Sequence, residues 1–113
     1  NGADQLLVVR TATAGSGVGW TCASWYFDAS AEELRQNISA VGTLVSAPSA
    51  SALSQWTMVA TGVTPVTGST IFSASGGKLT IAFNVVHSDD DQPTAIQFTT
   101  AKLTSVTETH ACY

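Results

Sequence analysis

From Thr70 to Val86, apolar and polar residues alternate on either side of Gly76-Gly77. Paired glycines tolerate the positive φ angles of a type I′ turn, so two β-prone runs meeting there predict a hairpin. The turn sets the register: Ser75 opposes Lys78, Ala74 opposes Leu79, and Phe72 opposes Ile81. Phe72, Ala74, Leu79, Ile81, Phe83 and Val85 then share one face, while Ile71, Ser73, Ser75, Lys78, Thr80, Ala82 and Asn84 share the other. One apolar and one mostly polar face mark an antiparallel sheet lying on a core.

The first half of the chain patterns differently. Gln5 to Thr13 contains the run Leu6-Leu-Val-Val9, which predicts a strand covered on both faces in its first half. Gly15-Ser-Gly-Val-Gly19 reads as a turn; its spacing fits neither a phosphate loop nor a dinucleotide fingerprint. Trp20 to Phe27 predicts a second strand, with Trp20, Cys22, Ser24 and Tyr26 on one side and Thr21, Ala23, Trp25 and Phe27 on the other. Aromatic residues on both sides require a cover over each face, or a partner over one of them.

The sequence then predicts a helix. Ser30-Ala-Glu-Glu33 has the spacing of a capping box, and Leu34, Ile38, Val41 and Val45 follow at helical intervals. Gly42 weakens that helix and offers it an end. After Pro48, Ser49 to Trp56 predicts a short second helix that brings Leu53 and Trp56 together. Thr57 to Val63 reads as extended, and Thr64-Pro-Val-Thr-Gly68 as a turn into the hairpin. His87 to Pro93 is a polar connection, and Thr94 to Thr107 is a long β-prone run whose change of parity at Leu103 calls for a bulge near residues 99–102. With no internal repeat and no boundary, residues 1–113 form one domain. The expected fold is α+β: an antiparallel β-sheet with one or two helices, about residues 30–56, packed on a face. An all-β sandwich is the alternative, and it requires residues 31–45 to be something other than a helix.

Charge narrows the function classes. Only four residues are Lys or Arg, against eight Asp or Glu, and none of the four cluster. Nucleic-acid binding needs several cations to displace counterions, and anionic membrane surfaces need the same, so neither is expected. No apolar run reaches the length of a membrane span. Charged residues make up 11% of the chain and hydrophobic ones 44%, which argues against disorder. Cys22 and Cys112 are either one disulfide or two free thiols; the disulfide is the preferred reading, because their spacing has no metal pattern. Asn37-Ile38-Ser39 is a glycosylation sequon. Disulfide and sequon together point to a secreted, extracellular protein.

Candidate chemistry is sparse. Asp89-Asp90-Asp91 beside His87 invites a calcium reading, but consecutive carboxylates do not converge on one ion. A solvated loop is the expectation, with no metal and no cofactor. His87 and His110 stand in no recognisable catalytic context, and no nucleophile elbow is present. Asp28, Glu32 and Glu33 read as helix-capping residues rather than glycosidase carboxylates. The aromatics Trp20, Trp25, Tyr26, Phe27 and Trp56 crowd the first half. One or two of them exposed beside polar groups would make a sugar platform, and the candidate ligand-binding set is Trp20, Trp25, Tyr26, Asp89, Asp90, Asp91 and Gln92.

The expected function is therefore a small secreted binding protein, lectin-like, whose partner is a glycan or cell-surface glycoprotein. A protein-binding effector or enzyme inhibitor is the alternative, and a small secreted hydrolase comes third. Apolar residues on both faces of the first two strands also suggest a homodimer. In its Ser/Thr richness, paired cysteines and scarcity of Lys, the chain resembles small secreted fungal proteins, including mushroom lectins and immunomodulatory proteins. That resemblance is one of overall composition and implies a defence or immunomodulatory role; it assigns no functional residue.

Overall fold

The computed structural model describes residues 3–13, 19–42, 44–86, 92–101 and 112. The protein is built mostly from antiparallel β-sheet, with a single short helix among the described residues. Strands β1 (Gln5–Thr13), β2 (Gly19–Asp28), β3 (Glu33–Ala40) and β4 (Thr57–Thr61) form a first sheet in sequence order, each antiparallel to the next. A second sheet is centred on β7 (Lys78–Val85). Strand β8 (Thr94–Ala101) pairs along one edge of β7, while β5 (Val63–Pro65) and β6 (Phe72–Ser75) pair with successive halves of β7 on the other.

The hairpin expected from Gly76-Gly77 forms with its predicted register, Phe72 opposite Ile81 and Ser75 opposite Lys78. Both glycines have positive φ, at 58° and 76°. The bulge expected near residues 99–102 is not seen through Ala101, because β8 pairs with β7 in unbroken register from Thr94 to Ala101. Residues 102–107 lie outside the described residues.

The helix expected from Ser30 to Val45 is a strand instead. Leu34 and Ile38 are four residues apart, a spacing that places them on one face of a helix and equally on one face of a strand. The capping residue is a different one: Asp28 Oδ1 accepts hydrogen bonds from Ser30 N (2.9 Å), Ser30 Oγ (2.7 Å) and Ala31 N (3.0 Å). Glu32 then adopts φ +54°, outside the helical region, and turns the chain back along β2. Glu33 does not reach back to Ser30; its Oε2 accepts from Arg35, two residues along the same strand face. Gly42 follows at φ +91° in the turn after the strand. The second predicted helix does form, as α1 (Ala50–Leu53), four residues long, with the Ser49 hydroxyl accepting from Ala52 N at its start.

One stretch of chain joins the two sheets. Thr57 to Pro65 runs from the edge of the first sheet to the edge of the second, changing sheets at Gly62. Gly62 has φ +67°, and its carbonyl accepts from Val86 N (2.9 Å). A Cβ at this position would lie 2.5 Å from Val86 O, so the close approach of the two chains requires glycine. Gln5 adds a polar tie between the sheets, its Oε1 accepting from Ile71 N (2.9 Å) and Phe72 N (3.2 Å). The core lies between the sheets: Phe27, Ala29 and Leu34 meet Val63, Ile71 and Phe83, with Trp25, Ala60, Phe72, Ile81, Val85 and Ile96 packed around them.

Candidate functional site

Alternation along β2 gives the first sheet two unlike faces. Ala23, Trp25 and Phe27 point towards the second sheet, and Trp25 packs against the core cluster. Trp20, Cys22, Ser24, Tyr26 and Asp28 occupy the opposite face. Trp25 is thus separated from Trp20 and Tyr26 by the thickness of the sheet. The guanidinium of Arg10 lies over the Trp20 ring, 5.7 Å from its centroid. Gln92 is exposed, and Asp89, Asp90 and Asp91 lie outside the described residues, as do His87 and His110.

The second face is covered by the segment of residues 44–56 and by Cys112. The expected disulfide is present: Cys22 is bonded to Cys112, and both residues are buried. Val45 N donates to Cys112 O at 2.9 Å, which ties the covering segment to the disulfide. Beneath it, Ser24 is fully buried and its hydroxyl donates to Asn37 O. Asn37 itself sits half-buried in the middle of β3, opposite Ser24.

This cover is incomplete. Beside α1 it leaves a cleft of about 390 Å³ lined by Asp4, Tyr26, Asp28, Glu33, Arg35 and Leu53, among others. Strand pairing assembles it: Tyr26 is opposite Arg35 and Asp28 opposite Glu33, so four side chains of one sheet face stand together. Tyr26 Oη donates to Asp4 Oδ2 (2.9 Å), while Asp4 Oδ1 accepts from Ala29 N (2.8 Å). Arg35 donates to Glu33 Oε2 from Nε (3.0 Å) and Nη2 (2.8 Å), and reaches the covering segment through Trp56 O (3.3 Å). The rings of Tyr26 and Trp56 meet edge to face, with centroids 6.5 Å apart.

The electrostatics follow from these contacts. Partial burial raises the Tyr26 phenol above its ordinary value, helped by its bond to Asp4 and by the Asp4 and Asp28 charges. Asp28 is held below the usual carboxylate range, first by the Ser30 hydroxyl, then by the amides of Ala31 and Ser30 and by Arg35. At neutral pH the cleft therefore holds a neutral phenol and an ionised Asp28. Among the described residues, Asp28 Oδ2 and Glu33 Oε1 accept no hydrogen bond. The site can thus offer charged acceptors beside an aromatic ring. No group of three or more His, Cys, Asp or Glu among the described residues is placed to hold a metal ion.

Of the candidate ligand-binding residues, Tyr26 lines the cleft; Asp28 and Glu33 read as capping residues in the sequence, and Asp4 and Arg35 did not stand out there as binding groups. Arg35 and Glu33 share a face only if residues 33–40 are a strand, and the capping-box spacing concealed that. Asp4 enters through a contact spanning 22 residues, which no local pattern announces. No protein-family model matches this chain, and no curated protein or solved structure shows significant similarity to it.

Proposed function

We propose that this chain is a secreted carbohydrate-binding protein, lectin-like and with a defence or immunomodulatory role, and that it takes its sugar in the cleft beside Tyr26. The observation that carries this reading is the juxtaposition in the cleft of Tyr26, whose ring meets Trp56 edge to face, with Asp28 and Glu33 oxygens that accept no hydrogen bond among the described residues. Sugar hydroxyls donate well to carboxylates, and the C–H face of a pyranose packs on an aromatic ring. The disulfide supports secretion, because such bonds persist in oxidising compartments.

A glycan-array screen of the purified protein tests the proposal. Binding that free sugar competes away, and that Tyr26→Ala abolishes while the variant stays folded, is the expected result. A blank array overturns it. A repeat with chelator shows whether a metal takes part. Exposed apolar residues favour one second reading, a protein-binding effector or inhibitor or a homodimer: Leu44 is 66% and Phe98 61% exposed.

A further inference from the structure

Resting on the secretion part of that reading, we infer that the fold shuts the Asn37-Ile38-Ser39 sequon: a glycan on Asn37 and the closed cover of residues 44–56 exclude one another, so the folded protein carries none there. A sequon is ordinarily used on a surface loop, because the group it receives is bulky and hydrated. This one lies inside β3, paired with β2 on either side of it. Transfer would join Nδ2 of Asn37 to the anomeric carbon of a sugar carried on a lipid pyrophosphate. The bond from that carbon to the pyrophosphate oxygen breaks, the lipid pyrophosphate leaves, and the amide gives up one proton. The motif needs the Asn amide and the hydroxyl two residues on. Asn37 is opposite Ser24 and Ser39 is opposite Cys22, so both of those groups stand on the covered face. Ser39 Oγ is buried. Ser24 is fully buried, and its hydroxyl donates to the Asn37 carbonyl at 3.3 Å.

The cover is fastened at both ends of this tripeptide. β4 begins at Thr57, opposite Gln36, so the covering segment joins the sheet one residue from Asn37. Across from Ser39, Cys22 carries the disulfide to Cys112, whose carbonyl accepts from Val45 N. Strand alternation turns the middle residue the other way: Ile38, opposite Ala23, is 57% exposed. Solvent therefore meets the one residue of the three that the reaction does not use. The turn of Gly68, Ser69 and Thr70 is the reverse case, with all three residues exposed. Gly68 has φ +77°, and a Cβ placed there would meet nothing within 4 Å. Asn accepts positive φ more readily than most residues, so Gly68→Asn completes a second sequon on an open turn.

Secretion of the Gly68→Asn protein from a eukaryotic cell, behind an added signal sequence, tests the inference. Thiol labelling sorts the molecules into bonded and free, and mass spectrometry reads the occupancy of each sequon. Among molecules with the Cys22–Cys112 bond closed, position 68 should be occupied in the majority and Asn37 severalfold less. Any glycan on Asn37 should be concentrated in molecules with free thiols. In the same background, Cys22→Ser together with Cys112→Ser should raise occupancy at Asn37 severalfold over that of the bonded molecules. Comparable occupancy at the two positions in bonded molecules overturns the inference. An Asn37 that stays empty in the cysteine variant overturns it too, because the cover would then not be what shuts the sequon. Each of these results leaves the carbohydrate reading standing, since the signal sequence is supplied and the glycan array tests that reading by itself.

Discussion

The two faces of the first sheet are held by different means. Towards the second sheet, Phe27 and Leu34 pack against Val63, Ile71 and Phe83, so apolar burial dominates cohesion on that side, with Gln5 as a polar tie. Towards residues 44–56 the buried groups are Cys22, Ser24, Leu53 and Cys112, and the contacts are a disulfide, hydrogen bonds and one ring pair. A short helix and a loop offer too little apolar surface to close over a sheet. The chain closes that side covalently, and what it leaves uncovered is a polar cleft. Cleft and thin cover have the same cause.

That contrast can be broken most sharply at the disulfide. It spans 90 residues, and in the chain-entropy view closing such a loop stabilises the fold by roughly 4–5 kcal/mol. Reduction, or the paired change of Cys22 and Cys112 to Ala, should lower the urea midpoint accordingly. An unchanged midpoint would mean that the thin cover holds without it.

The core side should respond to truncation according to depth. Phe83→Ala, at a site 4% exposed, should cost about 3–5 kcal/mol. Phe98→Ala, on the neighbouring strand and 61% exposed, should cost less than about 1 kcal/mol. Comparable losses at the two positions would show that the second sheet is covered beyond Ile96 as well.

The smallest effect belongs to pH, and it should touch the polar face alone. Asp28 titrates below its ordinary value in the folded chain, so its stabilising contribution is present above that ordinary value and is lost as pH falls through the depressed one. Tyr26 titrates above its ordinary 10.0, so its contribution is present below that value and is lost as pH rises through the raised one. Denaturation midpoints measured against pH should show Tyr26→Phe converging on the parent protein only in alkali, and Asp28→Ala converging only in acid. Differences that stay constant across pH would remove both charges from the account.

Some of this was legible along the chain because the determining interactions are local. Gly76-Gly77 fixed its hairpin, since two adjacent positive-φ residues admit few turns. Alternation in β2 separates Trp25 from Tyr26, and Ser49 marks the start of α1. The Cys22–Cys112 bond was the preferred of two readings, disulfide or free thiols, for two cysteines without a metal spacing. Residues 33–40 were not legible, because Leu34 and Ile38 satisfy a helix and a strand alike. What decided between them was pairing with β2 and β4, together with the Glu32 turn that Asp28 caps. The cleft was decided later still. It needs β3 in register with β2, Asp4 folded against Tyr26, and the 44–56 segment laid over the sheet, where Val45 meets the distant Cys112. The sequence by itself determined the turns and the faces of single strands, where the energy lies in neighbouring residues. Tertiary structure alone decided which faces met and where a gap remained, because those depend on burial and pairing between residues far apart in the chain.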